Sequence, residues 1–322
     1  MIPIRDTTLT RSTPVVNYAI IGLNVLLFLV EMGQGGDLDR FIYIYGLVPA
    51  RYTAPQLSDY FTIGQQLFSL VSFMFLHGGF WHLLGNMWFL YIFGDNVEDH
   101  LGPLRYLLFY LLCGLASGVS HLLLNAHSNV PTIGASGAIA GVMGAYFLLH
   151  PTAKVLTLIP IIFIPLFVEI PAFFFLGFWF LLQFLNAAGS ASTGSGIAWW
   201  AHIGGFIFGM IFIKLLTAVP SAGVSRRVSQ ATRKKHSHRL QVLRPAASGQ
   251  DDNLYGSIAI TAYEALVGTY KLVNIPWGFK KQLFRVAIPP GTTQGQVLRL
   301  RGMGKTNPQG GRGDLMLKVT IT

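Results

Sequence analysis

The sequence predicts an all-α polytopic membrane protein, a six-helix bundle, followed by a small mainly-β soluble domain. Three observations carry this. Only 11% of the 322 residues are charged and 52% are hydrophobic, against about 25% charged in soluble domains. Long runs with almost no charge alternate with short polar breaks, as membrane-spanning helices require. Beyond residue 250 the pattern changes to short alternating segments bounded by Gly and Pro, which is strand chemistry. The expected divisions are a tail at 1–15, a membrane domain at 16–219, a basic linker at 220–250 and a β-domain at 251–322.

Residues 1–15 contain Arg5, Arg11 and two Pro, and read as a loose tail. Val16 to about Met32 forms the first span, with Glu31 as its one formal charge. It is long and lacks a small-residue cleavage site, so it reads as a retained helix. Residues 34–63 mix Gly, Pro, charges and aromatics. They are expected to form a long extramembrane loop with short amphipathic helices, and long loops tend to be functional. The second span runs from Gln65 to about Phe93 and is ended by Asp95, Glu98 and Asp99. It contains His82 and Asn86, four apart on one helix face. Arg105 to Asn125 is the third span and Gly134 to Leu149 the fourth. Val155 to Ile213 carries a single formal charge, Glu169, and is too long for one helix. Pro160, Pro165 and Pro171 interrupt its first part. The fifth span is therefore expected at about 170–187, a Ser/Gly turn at 189–196 and the sixth span at 197–216, with Trp199 and Trp200 as an interfacial anchor.

Six spans put both termini on one side. Seven Lys and Arg with no Asp or Glu between Arg226 and Arg244 mark that side as cytoplasmic. The same run beside a membrane reads as attraction to anionic lipid rather than nucleic-acid binding. The expected location is multi-pass, in a bacterial inner (plasma) membrane with both termini cytoplasmic. Cys113 is the single cysteine, so an intrachain disulfide is excluded.

This topology places the starts of spans two, four and six at similar depth below the outer face. Each start carries a polar side chain, and such residues are expensive in a span and functional by default. Span four opens with Gly134-Ala135-Ser136-Gly137 and continues with small residues. Span six carries His202, beside a second bare face made by Ala201, Gly205 and Gly209. Small residues at four-residue spacing let helices approach closely. A neutral His202 could then take the Ser136 proton as general base. No acidic residue is placed to orient His202, so the pair would be a dyad held by packing. His82, Asn86 and the Ser136 backbone N–H are candidate donors to a developing oxyanion. Two intramembrane His residues would also suit a haem or a proton relay. Haem leaves Ser136 and Asn86 unexplained, and a relay lacks a mid-span acid.

Together, His77-x4-His82-x3-Asn86, Gly134-Ala135-Ser136-Gly137 and Ala201-His202-x2-Gly205 resemble the rhomboid family of intramembrane serine proteases, over residues 15–218. The resemblance implies a rhomboid-like bundle with a water-filled cavity open to the outside. It implies Ser136 as nucleophile, His202 as base, and His82 and Asn86 on the oxyanion side, with Gly134, Gly137 and Gly205 as motif backbone. It implies serine-type endopeptidase chemistry without metal or cofactor, acting on single-span membrane proteins in or near their transmembrane segment. The alternative is a non-catalytic, rhomboid-like binding or escort factor for membrane proteins. Two positions depart from the family pattern. Ala140 stands where some members have an aromatic residue stacked on the histidine. The first-loop Trp-Arg pair is missing, with Gln65-Gln66-Leu67-Phe68-Ser69 near its place.

In the tail, alternation predicts strands at Leu254–Ile260, Gln282–Ile288, Val297–Arg301 and Asp314–Thr320, and a short helix at Ala262–Leu266. The residues Thr261–Gly268, Ile288-Pro289-Pro290-Gly291-Thr292, Leu298–Gly304 and Gly311–Leu315 resemble the C-terminal β-domain of DnaJ-like co-chaperones. A His-Pro-Asp tripeptide and a Cys-x-x-Cys repeat are both absent from the sequence, so activation of an Hsp70-type partner is not implied. What the resemblance leaves is two readings, a cytoplasmic module that binds a peptide or client protein and an appendage that only stabilises the chain.

Overall fold

Helix ends and glycine contacts organise the first part of the chain. The computed structural model describes residues 1–8, 10–161, 164–189, 198–220, 223–232, 240–242, 245–247, 252–277, 280–305 and 311–321. These fall into two units, Met1–Arg233 and Lys234–Thr322.

The first unit begins with a strand, β1 (Ile2–Asp6), where the sequence suggested a loose tail. Helix α1 (Val15–Met32) follows Pro14. Its first amides are capped from a distance: the Glu98 carboxylate accepts the Val16 and Asn17 N–H groups at 3.1 and 2.7 Å. A carboxylate at a helix N-terminus satisfies orphan donors and opposes the dipole. The long loop holds three short helices, α2 (Leu38–Tyr45), α3 (Ala50–Thr53) and α4 (Pro55–Ser58). Arg51 in this loop is fully buried. Its guanidinium donates to the Tyr43 and Ile44 carbonyls and lies 3.7 Å from the Phe61 ring centre.

The second span is broken rather than continuous. Helix α5 (Ile63–Ser72) starts at a capping box between Thr62 and Gln65. A 3₁₀ turn at Phe73–Phe75 follows, and α6 (Phe80–Leu101) departs at 77° after Gly79. Helix α7 (Pro103–Leu124) begins on a proline, where the missing N–H has no helical partner to lose. Helix α8 (Ser136–Leu149) is short and buried over most of its length.

Between α8 and the next helix, the proline-rich stretch is a β-hairpin, β2 (Lys154–Ile161) and β3 (Ile164–Pro171). Strand β2 pairs antiparallel with both β1 and β3. Period-two signals were masked here by continuous apolarity, which cannot separate strand from helix. Helices α9 (Ala172–Gly189) and α10 (Trp199–Ala218) follow. The Ser/Gly turn expected between them lies, apart from Gly189, outside the described residues. A further helix, α11 (Gly223–Thr232), occupies part of the stretch read as a linker.

Among the described residues, α1, α7, α9 and α10 are long and apolar enough to cross a membrane. Helices α5 and α6 qualify together as one broken span, and α8 is apolar but shorter. Helix α8 packs against α6, α7, α9 and α10. Small residues make this possible. A Cβ on Gly205 would overlap the Gly137 carbonyl, and one on Gly209 would lie 2.5 Å from the Gly141 Cα.

In the second unit, β5 (Ala246–Ala247), β6 (Leu254–Ile260), β10 (Leu315–Ile321) and β9 (Val297–Leu300) form one sheet in the order β5-β6-β10-β9. Strands β4 (Leu240–Val242), β7 (Thr269–Trp277) and β8 (Lys280–Ile288) form another, in the order β4-β7-β8. Ile258, Ile260, Leu315, Leu317 and Val319 from the first sheet share a core with Val273, Val286 and Ile288 from the second. Helix α12 (Ala262–Val267) is started by a Thr261–Glu264 capping box. Strand β7 follows Gly268, and the alternation seen in the sequence did not reveal it. Lys271 on this strand is fully buried and paired with Glu264 at 2.6 Å.

Candidate active site

Ser136 is the first residue of α8, and the backbone before it explains its position. Gly134 has φ +125°, a conformation that L side chains rarely adopt, and a Cβ there would lie 2.8 Å from the His82 ring. The turn therefore needs glycine for its backbone and to let His82 pass. As the first helical residue, Ser136 has no intrahelical partner for its N–H, which sits at the positive end of the helix dipole.

His202 lies one turn into α10. Its Nε2 is 2.8 Å from Ser136 Oγ. Its Nδ1 is 2.8 Å from Gln183 Oε1 on α9. An amide oxygen can only accept, so the Nδ1 carries the hydrogen and the Nε2 is left as acceptor for the Ser136 hydroxyl. Gln183 is buried, at 7% exposure. Two indoles flank the imidazole: Trp179 at 6.0 Å between ring centres, tilted 39°, and Trp199 at 6.2 Å, nearly perpendicular. Trp199 thus lines the site.

Ala140 now has a physical reason. Its Cβ lies 3.3 Å from where a Cβ of Gly205 would stand, inside the tight α8–α10 seam. A larger side chain there would push the helices apart. The imidazole is held instead by α9, through Gln183 and Trp179.

A cavity of about 740 Å³ opens over these groups, lined among others by His82, Asn86, Ser136, Gln183, Trp199 and His202. Asn86 is buried at 8% exposure, and its Nδ2 has no hydrogen-bond partner. A buried donor left unpaired is costly, so this amide is available to an acceptor in the cavity. The His82 ring sits beside the buried ring of His77, 5.2 Å away between centres. The His77 backbone N–H donates to both Glu31 carboxylate oxygens at 3.0 Å, tying the end of α1 to the turn before α6. His121 bonds Thr132 Oγ1 at 2.8 Å, and Thr132 lines the cavity on the approach to Gly134.

The sequence therefore pointed to Ser136, His202, His82, Asn86, Gly134, Gly137 and Gly205, and the fold brings all of them to one end of α6, α8 and α10. It missed Gln183, Trp179 and Trp199. A lone Gln in the apolar run Phe178-Trp179-Phe180-Leu181-Leu182-Gln183 was the available signal, because an uncharged polar group mid-span still needs a partner.

Comparison with known proteins gives two domain matches, a Rhomboid domain over residues 64–219 and a DnaJ C terminal domain over residues 240–322. The chain is 28% identical over 220 residues to Rhomboid protein 1, mitochondrial, of Saccharomyces cerevisiae, covering 67% of this chain and 57% of that protein. It is 29% identical over 133 residues to Rhomboid protease GluP of Bacillus subtilis, covering 41% of this chain and 24% of that one. Its tail is 40% identical over 73 residues to a DnAJ-like protein of Synechocystis, covering 23% of this chain and 21% of the relative. The chain thus spans little more than half the length of the first relative and about a quarter or less of the other two.

Proposed function

This chain is an integral, multi-pass membrane protein that carries a rhomboid domain joined to a DnaJ C-terminal domain, and we propose that it is an intramembrane serine endopeptidase. The observation that carries the reading is the Ser136 Oγ–His202 Nε2 contact at 2.8 Å, with the opposite ring nitrogen held by Gln183. Ser136 Oγ attacks the scissile carbonyl carbon while His202 Nε2 takes its proton. The carbonyl oxygen becomes an oxyanion. It is met by the unpaired Asn86 amide, a His82 ring N–H and the Ser136 backbone N–H. Collapse of the intermediate breaks the C–N bond. The proton on His202 passes to the leaving amine, and an acyl ester stays on Ser136. His202 then activates water, which releases the new carboxyl end and restores the hydroxyl. The neutral Gln183 orients the imidazole but adds no counter-charge, so a dyad performs the proton transfers.

The substrates under this reading are single-span membrane proteins cut in or near the membrane, because the Ser136 end of α8 is reached among apolar helices. The proposed setting is a bacterial inner membrane with both termini cytoplasmic and the Arg226–Arg244 run against anionic lipid. The β-domain binds a client protein. Support comes from the exposed Tyr263 and Leu266 on α12, at 71% and 73%. Deleting residues 245–322 should lower client capture; unchanged capture and unchanged cleavage of full-length substrate would remove this role.

Reconstitution in liposomes with a model single-span substrate tests the enzyme. Wild type is expected to cleave and Ser136→Ala to leave the substrate intact. Equal cleavage by both would sink the proposal.

A further inference from the structure

The β1–β2–β3 sheet has a feature that a water-facing sheet does not need. Its formal charges all sit at one end. Arg5 and Asp6 pair in register with Leu156 and Val155, Lys154 pairs with Pro171, and Leu156 pairs with Glu169. Lys154 and Glu169 bridge the strands there at 2.9 Å. The described side chains of the other end are Ile2, Pro3, Leu158, Ile159, Pro160, Pro165, Leu166, Phe167 and Val168, together with Thr157. Thr157, the lone hydroxyl, turns back and donates to its own strand at Val155. Yet the outer part of this end is not covered by protein: Pro160 and Pro165 are exposed, Leu166 is 42% and Phe167 58% exposed, while Pro3 and Thr157 are buried.

The sheet also runs alongside a spanning helix. Asn96 Nδ2 donates to Asp6 at 3.0 Å, and Trp88 Nε1 donates to the Pro3 carbonyl at 2.6 Å. Trp88 lies about 20 Å back along α6 from its Leu101 end, at 1.5 Å per residue. Strand β1 therefore lies beside α6, charged end beside Asp95–Asp99 and apolar end beside the middle of the helix. Strand β2 extends further, past Leu158, which pairs with Ile2.

The edges complete the picture. Ala172 N donates to Ala153 O at 2.7 Å, and hydrogen-bonded pairs alternate along an antiparallel ladder. That parity turns the backbone of residues 165, 167, 169 and 171 in β3 outwards, and that of Pro160 in β2 outwards just beyond the end of β1. Pro165, Pro171 and Pro160 fill three of these positions, and Pro160 and Pro165 face each other. Proline has no N–H. In hydrocarbon each unpaired N–H costs several kcal/mol, roughly, whereas in water it is solvated; of the outward positions in the apolar end, 160 and 165 are proline and Phe167 keeps its N–H.

We propose that the apolar end of the β2–β3 hairpin, the part that runs past Ile2, is inserted in the hydrocarbon of the cytoplasmic leaflet beside α6, with the Arg5–Asp6–Lys154–Glu169 end at the lipid headgroups and the N-terminus on that side. The occupant of the Leu166–Phe167 surface is lipid acyl chain. This does not depend on the protease reading, because its test needs no activity.

The test places a nitroxide on Leu166→Cys, Phe167→Cys and Glu169→Cys in full-length protein carrying Cys113→Ala, reconstituted in phosphatidylcholine/phosphatidylglycerol vesicles. Thr293→Cys in the tail gives the aqueous reference. Collision with oxygen should exceed collision with a water-soluble nickel chelate several-fold at positions 166 and 167, and the preference should reverse at 169. Equal nickel access at 166, 167, 169 and 293 would overturn the proposal by showing a sheet in water. Shielding from both reagents at 166 and 167 would overturn it by showing the strand packed on protein. Two adjacent exposed sites keep the test available if one variant fails to fold.

Discussion

Gln183 offers the sharpest test of how the imidazole is held. Gln183→Met keeps the side-chain length and apolar packing but removes the acceptor 2.8 Å from His202 Nδ1. Without it, the neutral ring is free to take the other tautomer, whose Nε2 carries a hydrogen and cannot receive the Ser136 proton. A neutral hydrogen bond contributes a net ~0.5–1.5 kcal/mol, which corresponds to roughly a 2- to 13-fold change in rate. The loss should fall on kcat with KM little changed, because Gln183 acts through His202 in the transition state. The assay is cleavage of a fluorescent single-span substrate in proteoliposomes over a range of substrate mole fractions. Gln183→Asn, one methylene shorter, should not restore the rate. An unchanged kcat in Gln183→Met would refute the positioning role, and so would a loss as deep as that of Ser136→Ala.

Four further outcomes follow from the geometry. Asn86→Ala should lower kcat by a factor of about 10²–10³, the usual effect of removing one oxyanion donor, with thermal stability in detergent retained; near-wild-type kcat would exclude that role. Gly209→Ala forces a methyl against the Gly141 backbone and should destabilise by about 1–3 kcal/mol, read as an earlier thermal transition. Glu264→Ala strands the buried Lys271 ammonium and should cost the β-domain about 3–5 kcal/mol, read by hydrogen exchange in the full chain. The Asp314 carboxyl is held below its ordinary value by the Gly302 N–H and by Arg299. Its contribution to β-domain stability is therefore complete above the unfolded carboxylate value, about 3.9, and is lost as pH falls through the lower folded value; Asp314→Asn should flatten that acid limb.

The helices were legible because apolar length, prolines and charged stops set their ends. The expected third span, 105–125, differs little from Pro103–Leu124, for example. The serine and histidine were legible because small residues at four-residue spacing announced a close helix pair. The hairpin at 154–171 was not, since a run that is apolar from Val155 to Val168 except at Thr157 carries no period. The break at Leu76–Gly79 carried a signal, His77-Gly78-Gly79, but the apolar residues on both sides read as one span. Gln183 was overlooked because its value depends on a partner 19 residues away on another helix. Arg51 looked like an ordinary loop charge, whereas the fold buries it under Phe61 and against two carbonyls.

The proposed chemistry requires that His202 make Ser136 nucleophilic. Labelling the reconstituted protein with a fluorophosphonate and locating the adduct by mass spectrometry tests this directly. A phosphonyl adduct on the peptide containing Ser136, abolished by His202→Ala while the variant keeps its thermal transition, is the expected result. A wild-type protein that stays unlabelled, or an adduct that persists undiminished in His202→Ala, would contradict it.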